Sequence, residues 1–496
     1  MVLVALALRL IVMAYVYPME LAPAHDHWAF GYETGRIARS IANGHGFGSP
    51  LFADTGPTAW LTPVYPYILA GIFKVFGVYS TASGFIIFVM NALISALTCL
   101  PVFFFTSKSF DARAGLWAGW IWAIFPYEMY WSAQHIWDTW LATLLLAILF
   151  CVVLRLAESN RMRDWIGFGI LSGVAALTDP IVLSALPVLA LWAVWRLHKT
   201  NQRWLKPAIG AVLAVILVVS PWFIRNYRVF HEFIPFRDVF PLALRVGNIG
   251  DTRHMLTLQA GPWASNPAEW NEFQKYGEIA YMAEKGRAAR AYISSHRGEY
   301  VYNCVRRVIY LWTGFWYLDP LSLIGFPPEP ADIFLFTGLT ILALMGLRDA
   351  FRKDAAGTAP YALVLIFLPL VYYSTSIEPW YRVPMDPIFI ALAAYAITSR
   401  LGPASGAYAM GEFAAGNSDT SEAQNLRVSV ETATTTASVR SGSPLRRRAA
   451  DAIAASVPQA TWRSSPSKPR KRGCRRRRCR KLPCPTPYAS CPRLAN

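Results

Sequence analysis

The sequence TASGFIIFVMNALISALTCLPVFFF, residues 81–105, contains no charged side chain. About 20 predominantly apolar residues are enough for a helix to cross the ~30 Å hydrocarbon layer of a membrane. A helix also satisfies its own backbone hydrogen bonds, which lipid cannot do. We therefore predict a transmembrane helix at 81–105.

Comparable apolar stretches recur along residues 1–400, and the whole chain is 54% hydrophobic and only 16% charged. This composition predicts an all-α polytopic membrane protein, a bundle of about ten transmembrane helices with amphipathic surface helices in its outer loops. The other predicted spans are 1–17, 115–131, 137–155, 164–178, 181–197, 206–222, 331–347, 360–375 and 386–399. Segment 306–326 is predicted to return to the side on which it starts, as a re-entrant or surface helix.

Basic residues in the short loops predict the orientation of the spans. They lie at alternate span ends, which the positive-inside rule makes cytoplasmic. The loops in question contain Lys108 and Arg113; Arg155, Arg161 and Arg163; Arg196, Lys199, Arg203 and Lys206; and Arg348, Arg352 and Lys353. The opposite, outer side then receives two long loops, 18–80 and 223–305.

The composition changes after residue 400. Residues 401–496 are rich in Ala, Ser, Thr, Pro and Arg, and they contribute much of the +17 net charge through runs such as KPRKRGCRRRRCRK. We predict a transmembrane domain over 1–400 and a disordered, low-complexity basic tail over 401–496. The tail could be an arm that binds anionic lipid or nucleic acid. We favour a simple solvated tail or a segment translated from a shifted reading frame, and we expect no nucleic-acid partner.

The first outer loop has a helical pattern from Glu33 to Asn43. Ile37 and Ile41 share an apolar face, whereas Arg36 is expected to point away from it with Arg39 and Asn43. Gly44 and Gly46 supply a stop. We interpret the segment as a short amphipathic helix at the membrane surface.

Glu33 projects along the apolar stripe of that helix. Burial there would raise its pKa and suit it to proton transfer. The alternative is that Glu33 stabilises the first turn of the helix through a favourable interaction with the helix macrodipole. Asp26 is a second candidate acid, although it is equally consistent with a loop residue flanked by His25 and His27. Two such histidines without further ligands are weak evidence for a metal.

Three arginines at outer span ends are candidates for holding a phosphate. Arg225 and Arg228 follow one span, and Arg382 with Tyr381 opens the last one. Charges so close to hydrocarbon are expensive unless an anion or the headgroups meet them. Each arginine could alternatively be an interfacial anchor within an aromatic belt.

Further acids have structural interpretations. Asp138 and Asp179 are plausible helix caps or turn residues, and Glu378 and Asp386 are expected ion-pair partners of Arg382. Asp138 is also a candidate for contact with a substrate.

These segments together resemble a known family. The stretches YETGRIARSIANGHGFGSP (32–50), PTAWLTPVYPYILAGIFKVFG (57–77), SPWFIRNYRVFHEFIPFRD (220–238) and EPWYRVPMDPIFIALAAY (378–395) are similar to polyprenyl-phosphate-sugar-dependent glycosyltransferases of the GT-C superfamily. The similarity is to the branch of protein O-mannosyltransferase-like and aminoarabinose-transferase-like enzymes. It covers nearly all of residues 1–400.

The resemblance implies a mechanism. A carboxylate of the first outer loop, Glu33 or Asp26, would act as general base, and basic residues would hold the lipid phosphate. Asp26 and Glu33 are separated by six residues, unlike the compact acidic motif common in the family, so the assignment between them stays open; we favour Glu33. The expected location is a bacterial inner membrane with the active site facing the periplasm.

The implied partners are a polyprenyl-phosphate sugar donor and a lipid, protein or polysaccharide acceptor. No metal and no other cofactor is expected, because the outer loops contain no DxD-type cluster. The main alternative is a transporter or lipid-carrier flippase, which predicts ionisable residues within the spans. Apart from Arg9, the predicted spans are nearly free of charged residues in their middle.

Overall fold

Helices make up the regular structure of the chain. The computed structural model describes residues 1–20, 30–250, 261–263, 266–316 and 328–401, and these contain helices and one isolated β-bridge but no strand. The predicted tail lies outside the described residues apart from Leu401. The helices are α1 (Val2–Glu20), α2 (Glu33–Ala42), α3 (Val64–Phe76), α4 (Thr81–Leu97), α5 (Cys99–Ser109), α6 (Ala112–Ile124), α7 (Pro126–Gln134), α8 (Thr139–Leu156), α9 (Met162–Thr178), α10 (Leu186–Lys199), α11 (Leu205–Phe230), α12 (Phe240–Val246), α13 (Pro267–Ser295), α14 (Arg297–Thr313), α15 (Pro328–Lys353), α16 (Ala355–Phe367), α17 (Leu370–Ser374) and α18 (Asp386–Arg400), with 3-10 turns at Pro180–Ser184 and Pro379–Met385.

The chain is a multi-pass membrane protein, as predicted. Within the described residues, five helical stretches are long and apolar enough to cross a membrane: Thr81–Ser109, Thr139–Leu156, Leu205–Phe230, Asp332–Lys353 and Ala356–Ser374. Each matches a predicted span. Other predicted spans correspond to shorter helices, such as α9 and α18.

The predicted span 115–131 is interrupted. Helix α6 ends at Ile124, Phe125 is extended, and α7 begins at Pro126. Proline has no backbone N–H and fixes its own φ, so it starts a helix readily but does not continue one. Segment 115–131 is therefore two helices.

Small residues let the helices approach closely. Gly169 and Gly173 of α9 face α11, and a Cβ on Gly169 would lie 2.2 Å from the Ala211 carbonyl oxygen. Spacing small residues four apart is a common way to bring helix backbones together in membranes. The α9–α11 pair thereby carries the connection after α11 close to the connection after α9.

The bundle has two distinct ends. At one, Lys108 bonds Glu158 at 2.9 Å and Arg400 bonds Asp349 at 2.6 Å. This end contains the basic loops that are predicted to be cytoplasmic. The opposite end, called the loop end here, consists of residues 30–62, 135–138, 178–185, 231–239 and 375–385 and contains the candidate site.

Helix α14 reverses the polarity usual for a soluble helix. It buries Asn303 and Arg307, which is 0% exposed, and leaves Val301 (58% exposed), Tyr302 and Val305 on the outside. Apolar residues outside and polar residues inside suit a helix whose surroundings are hydrocarbon. Helix α14 covers the first part of the predicted 306–326 segment, and 317–327 lie outside the described residues.

Candidate functional site

Helix α2 begins in a tight backbone arrangement that places Glu33 at the loop end. Gly31 has a φ of 72°, and an added Cβ there would lie 2.0 Å from the Ile136 carbonyl oxygen. The start of α2 is therefore packed directly against the segment that leads into α8. Glu33 is half-buried, and this burial raises the pKa of its carboxyl, against the lowering effects of its own backbone amide and Arg36.

The predicted boundaries of α2 are confirmed, but one of its faces is not. Ile37 and Ala38 are fully buried as expected. Arg36 is buried too and donates to the Pro50 carbonyl at 3.3 Å. The expectation that Arg36 points away is wrong, because the chain returns over that face at residue 50. Asp26 lies outside the described residues.

Two acids and one arginine meet at the loop end. Asp138 stands at the start of α8, and Asp179 directly follows α9. Arg237 lies in the connection after α11, and its Nη2 is 3.5 Å from Asp179 Oδ1. Burial, and then the negative charge of Asp179, raise the pKa of the Asp138 carboxyl to about 7, while Arg237 opposes the rise. We call Asp138, Asp179 and Arg237 the acid–arginine cluster.

The cap interpretation of Asp179 is confirmed, and that of Asp138 is confirmed only in position. Asp179 accepts from the Ile181 amide at 3.1 Å, which caps the 3-10 turn Pro180–Ser184. Asp138 occupies the N-cap position of α8, but its side chain makes no capping hydrogen bond. Its carboxylate is therefore not committed to the helix end.

Aromatic residues border the acid–arginine cluster. Tyr381 stacks on Tyr372 with ring centroids 4.4 Å apart, and both act electrostatically on Arg237. Among the predicted ligands, Tyr381 therefore lies close to Arg237 and Asp179 of the acid–arginine cluster. Trp137 and Trp380, the chain neighbours of Asp138 and Tyr381, contact each other at 4.1 Å between centroids.

Arg225 holds the first part of the loop end together. Its guanidinium donates to the Thr58 carbonyl at 2.7 Å and the Phe47 carbonyl at 2.8 Å, and it lies 5.0 Å from the centroid of the Trp222 ring. Arg228, one turn further along α11, is exposed. The two arginines predicted as a pair are thus in different surroundings.

Arg382 is fully buried, 0% exposed. Its Nε donates to Asp386 Oδ1 at 2.7 Å, which confirms Asp386 as one of its two predicted ion-pair partners, and its Nη1 donates to the Trp312 carbonyl at 3.0 Å. The rings of Phe336 and Phe389 each lie 4.2 Å from its guanidinium carbon. Arg382 therefore links α18 to α14 and α15.

Sequence interpretation missed Arg237. It stands in the quoted stretch 220–238, but the arginines nearest the span end drew attention instead. The available signal was the FRD tripeptide at 236–238, a charged pair after an apolar run. Within the described residues, no group of three or more His, Cys, Asp or Glu side chains is arranged to hold a metal ion.

The chain is similar to known proteins over part of its length. Residues 59–224 match the family model described as dolichyl-phosphate-mannose-protein mannosyltransferase. No curated protein matches the chain. Among solved structures, the chain is similar to the apo oligosaccharyltransferase of Archaeoglobus fulgidus, with 15% identity over 88% of this chain and 54% of that one and a TM-score of 0.49.

A second solved structure is ArnT from Cupriavidus metallidurans bound to undecaprenyl phosphate. It shares 14% identity over 80% of this chain and 78% of that one, with a TM-score of 0.33. The chain spans about half the length of the archaeal oligosaccharyltransferase. Through the match of residues 59–224, the resemblance to the GT-C glycosyltransferases that the sequence predicted is confirmed.

Proposed function

We propose that this chain is a membrane glycosyltransferase that moves a sugar from a polyprenyl-phosphate donor to an acceptor hydroxyl at the loop end. The single observation that carries the proposal is the acid–arginine cluster: one partly exposed arginine beside two carboxylates, next to the start of α2. The family model supports a lipid-linked phosphate sugar as donor, since its description names a dolichyl-phosphate-mannose-dependent reaction.

The proposed reaction is a single displacement. A carboxylate takes the proton from the acceptor hydroxyl, the oxygen forms a bond to the anomeric carbon, and the bond from that carbon to the phosphate oxygen breaks. The polyprenyl phosphate leaves with the electron pair. Glu33 or Asp26 is the proposed base, as the resemblance implies; Asp138, whose pKa is about 7, stands on the substrate side.

The leaving phosphate needs a cation that is partly exposed and whose donors are not all directed to the protein interior. Arg225 and Arg382 direct their donors to backbone carbonyls and Asp386. Arg237 has 29% of its side chain exposed and borders Tyr381, and Arg228 is exposed on α11. We therefore assign the phosphate to Arg237, with Arg228 as the second candidate among the predicted ligands.

The loop end is proposed to face outward, towards the periplasm of a bacterial inner membrane. The predicted cytoplasmic loops at the other end support this orientation through the positive-inside rule. The acceptor is a lipid, protein or polysaccharide hydroxyl. The proposed catalytic unit is residues 1–400, and the tail is not assigned to it.

A transfer assay tests the proposal. Membranes containing the full chain are supplied with labelled polyprenyl-phosphate sugars, and transfer is compared with that of Glu33→Gln, Asp26→Asn and Arg237→Gln. Loss of the base is expected to lower the rate about 100-fold or more. Glu158→Gln, at the opposite end of the bundle, is the control and should keep the parent rate. Unchanged transfer in both acid variants would remove the assigned base.

The second candidate is a transporter or flippase. It is favoured by the ionisable side chains of Arg9, Glu128, Arg382 and Asp386, which are fully buried within the bundle. Glu128 lies near the end of the predicted span 115–131, Asp386 opens the span 386–399, and Arg382 precedes that span. The same assay separates the candidates: a flippase moves the intact labelled lipid without forming a glycosylated product.

A further inference from the structure

Two tryptophans at the loop end form one aromatic surface. Trp137 and Trp380 come from segments distant in the sequence, and their ring centroids lie 4.1 Å apart with 41° between the ring planes. Both rings are partly exposed. Behind them, Trp131 and His135 are buried and contact Trp380 at 5.9 and 5.3 Å between centroids. Buried side chains therefore hold the partly exposed pair in place through Trp380.

Residues of the acid–arginine cluster and its aromatic border are next to this pair in the sequence. Asp138 follows Trp137, and Tyr381 follows Trp380. Arg237 is close enough to Asp138 and Tyr381 for their charges to act on it. Tyr381 lies near both Trp380, at 6.3 Å between ring centroids, and Arg237. An aromatic surface, two carboxylates and a cation therefore occur at the same end of the bundle.

This combination fits a pyranose attached to a phosphate. One face of a sugar ring presents C–H groups that pack against the electron-rich face of an aromatic ring. The hydroxyls around the ring donate hydrogen bonds to carboxylates, and the phosphate pairs with arginine. An isoprenoid chain would use the rings but would leave the charged cluster next to hydrocarbon, which is unfavourable.

We propose that Trp137 and Trp380 form the platform on which the sugar of the lipid-linked donor stacks. The inference rests on the proposed function and adds the position of the donor sugar to it. Asp138 and Asp179 accept from the sugar hydroxyls, and Arg237 meets the phosphate. The tryptophans bind the sugar and take no part in proton transfer.

Equilibrium binding tests the platform without requiring turnover. The full chain in lipid nanodiscs is titrated with bare polyprenyl phosphate and with the same lipid carrying mannose. The parent is expected to bind the mannose-bearing lipid more tightly. Trp137→Leu and Trp380→Leu should each weaken binding of the mannose-bearing lipid by about tenfold, the scale of a lost stacking contact, and leave the bare lipid unaffected.

Two further variants make the test specific. Trp137→Phe keeps a ring and should retain most of the preference for the mannose-bearing lipid. Trp195→Leu removes a tryptophan of α10 that is 43% exposed, next to the basic residue Arg196, and should behave as the parent does.

The outcomes separate the two proposals. Equal weakening for both lipids, or no weakening, overturns the platform even if transfer is observed. Selective weakening supports the platform even if no acceptor is glycosylated, in which case the proposed transfer fails on its own. A parent that does not distinguish the two lipids also overturns the platform.

Discussion

Gly31 determines where the carboxylate of Glu33 can lie. The positive φ at Gly31 is followed by a second positive φ of 47° at Tyr32, so the chain turns sharply before α2 begins. Residues other than glycine rarely adopt a positive φ. Tyr32 keeps this disfavoured backbone conformation only because its surroundings hold it. Contact with the Ile136 backbone supplies that restraint.

A pair of glycine substitutions tests this restraint. Gly31→Ala combines a disfavoured φ with a Cβ that would overlap the Ile136 carbonyl oxygen, so we expect a loss of about 3 kcal/mol or more in the free energy of unfolding. Gly44→Ala also has a positive φ, but its Cβ would enter open space, so a loss of about 1 kcal/mol is expected. Thermal unfolding in detergent measures both. Equal losses would show that the Ile136 contact adds nothing.

Asp138 gives the folded protein a pH dependence. Its folded-state pKa of about 7 is above the ordinary value of 3.8, so the folded state binds the proton more tightly than the unfolded chain does. The stabilising contribution is complete below about pH 4 and is lost as the pH rises through about 7.

Asp138→Asn removes that dependence. The variant is therefore expected to unfold at a higher temperature than the parent at pH 8, and the difference should shrink steadily towards pH 5. Thermal unfolding across this range measures the effect. A variant less stable than the parent at pH 8 would mean that the Asp138 carboxylate is well compensated by Arg237.

At the scale of elements, α11 supports the loop end through Arg225. One side chain joins the helix to the carbonyls of Phe47 and Thr58, which belong to the segment between α2 and α3. A nearby carboxylate, Glu278 of α13, accepts from the Thr58 hydroxyl at 2.5 Å and the Ala59 amide at 2.6 Å. The segment is thus held from two helices by hydrogen bonds to its backbone.

The two arginines of α11 should respond differently to substitution. Arg225→Ala leaves two carbonyls without their donor, and we expect a loss of about 2–6 kcal/mol in the free energy of unfolding, from about 1–3 kcal/mol for each unsatisfied group. Arg228→Ala, at an exposed position, should change stability by less than about 0.5 kcal/mol. Thermal unfolding compares them. Similar effects on stability would contradict the difference in their surroundings.

Binding of bare polyprenyl phosphate to the same variants examines the phosphate assignment. If Arg228 contacts the donor, Arg228→Ala weakens this binding without any loss of stability. If binding is unchanged, Arg237 alone carries the assignment among the exposed candidates.

The sequence predicts elements better than it predicts their partners. The apolar stripe of α2 and its stop at Gly44 follow from local spacing and are confirmed. The burial of Arg36 is not local, since it depends on the chain returning at Pro50. The break at Pro126 had a signal in the sequence, which the apolar average over 115–131 concealed.

At the scale of the whole molecule, the candidate site comes from long-range contacts. Asp138, Asp179 and Arg237 belong to three separate connections, and only the packing of α8, α9 and α11 brings them together. No periodicity in the sequence encodes that meeting. Long-range packing also explains the burial of Arg382, which lies just before the last predicted span but is enclosed by α14 and α15.

A truncation tests the assignment of function to residues 1–400. Deleting residues 401–496 is expected to leave the transfer of sugar from a polyprenyl-phosphate donor unchanged, because the proposed residues all precede Arg400. Transfer in membranes and the amount of membrane-inserted protein are measured together. Loss of transfer at normal insertion would contradict the division at residue 400.

The reversed polarity of α14 has a practical consequence for purification. Its residues Val301, Tyr302 and Val305 are exposed on the described part of the bundle, while Arg307 fixes the helix from the inside by donating to the Tyr373 carbonyl at 3.1 Å. If the detergent belt does not cover this helix, an apolar surface is left exposed to water. Copies of the chain would then adhere to one another along α14, and retaining native lipid during extraction should prevent it.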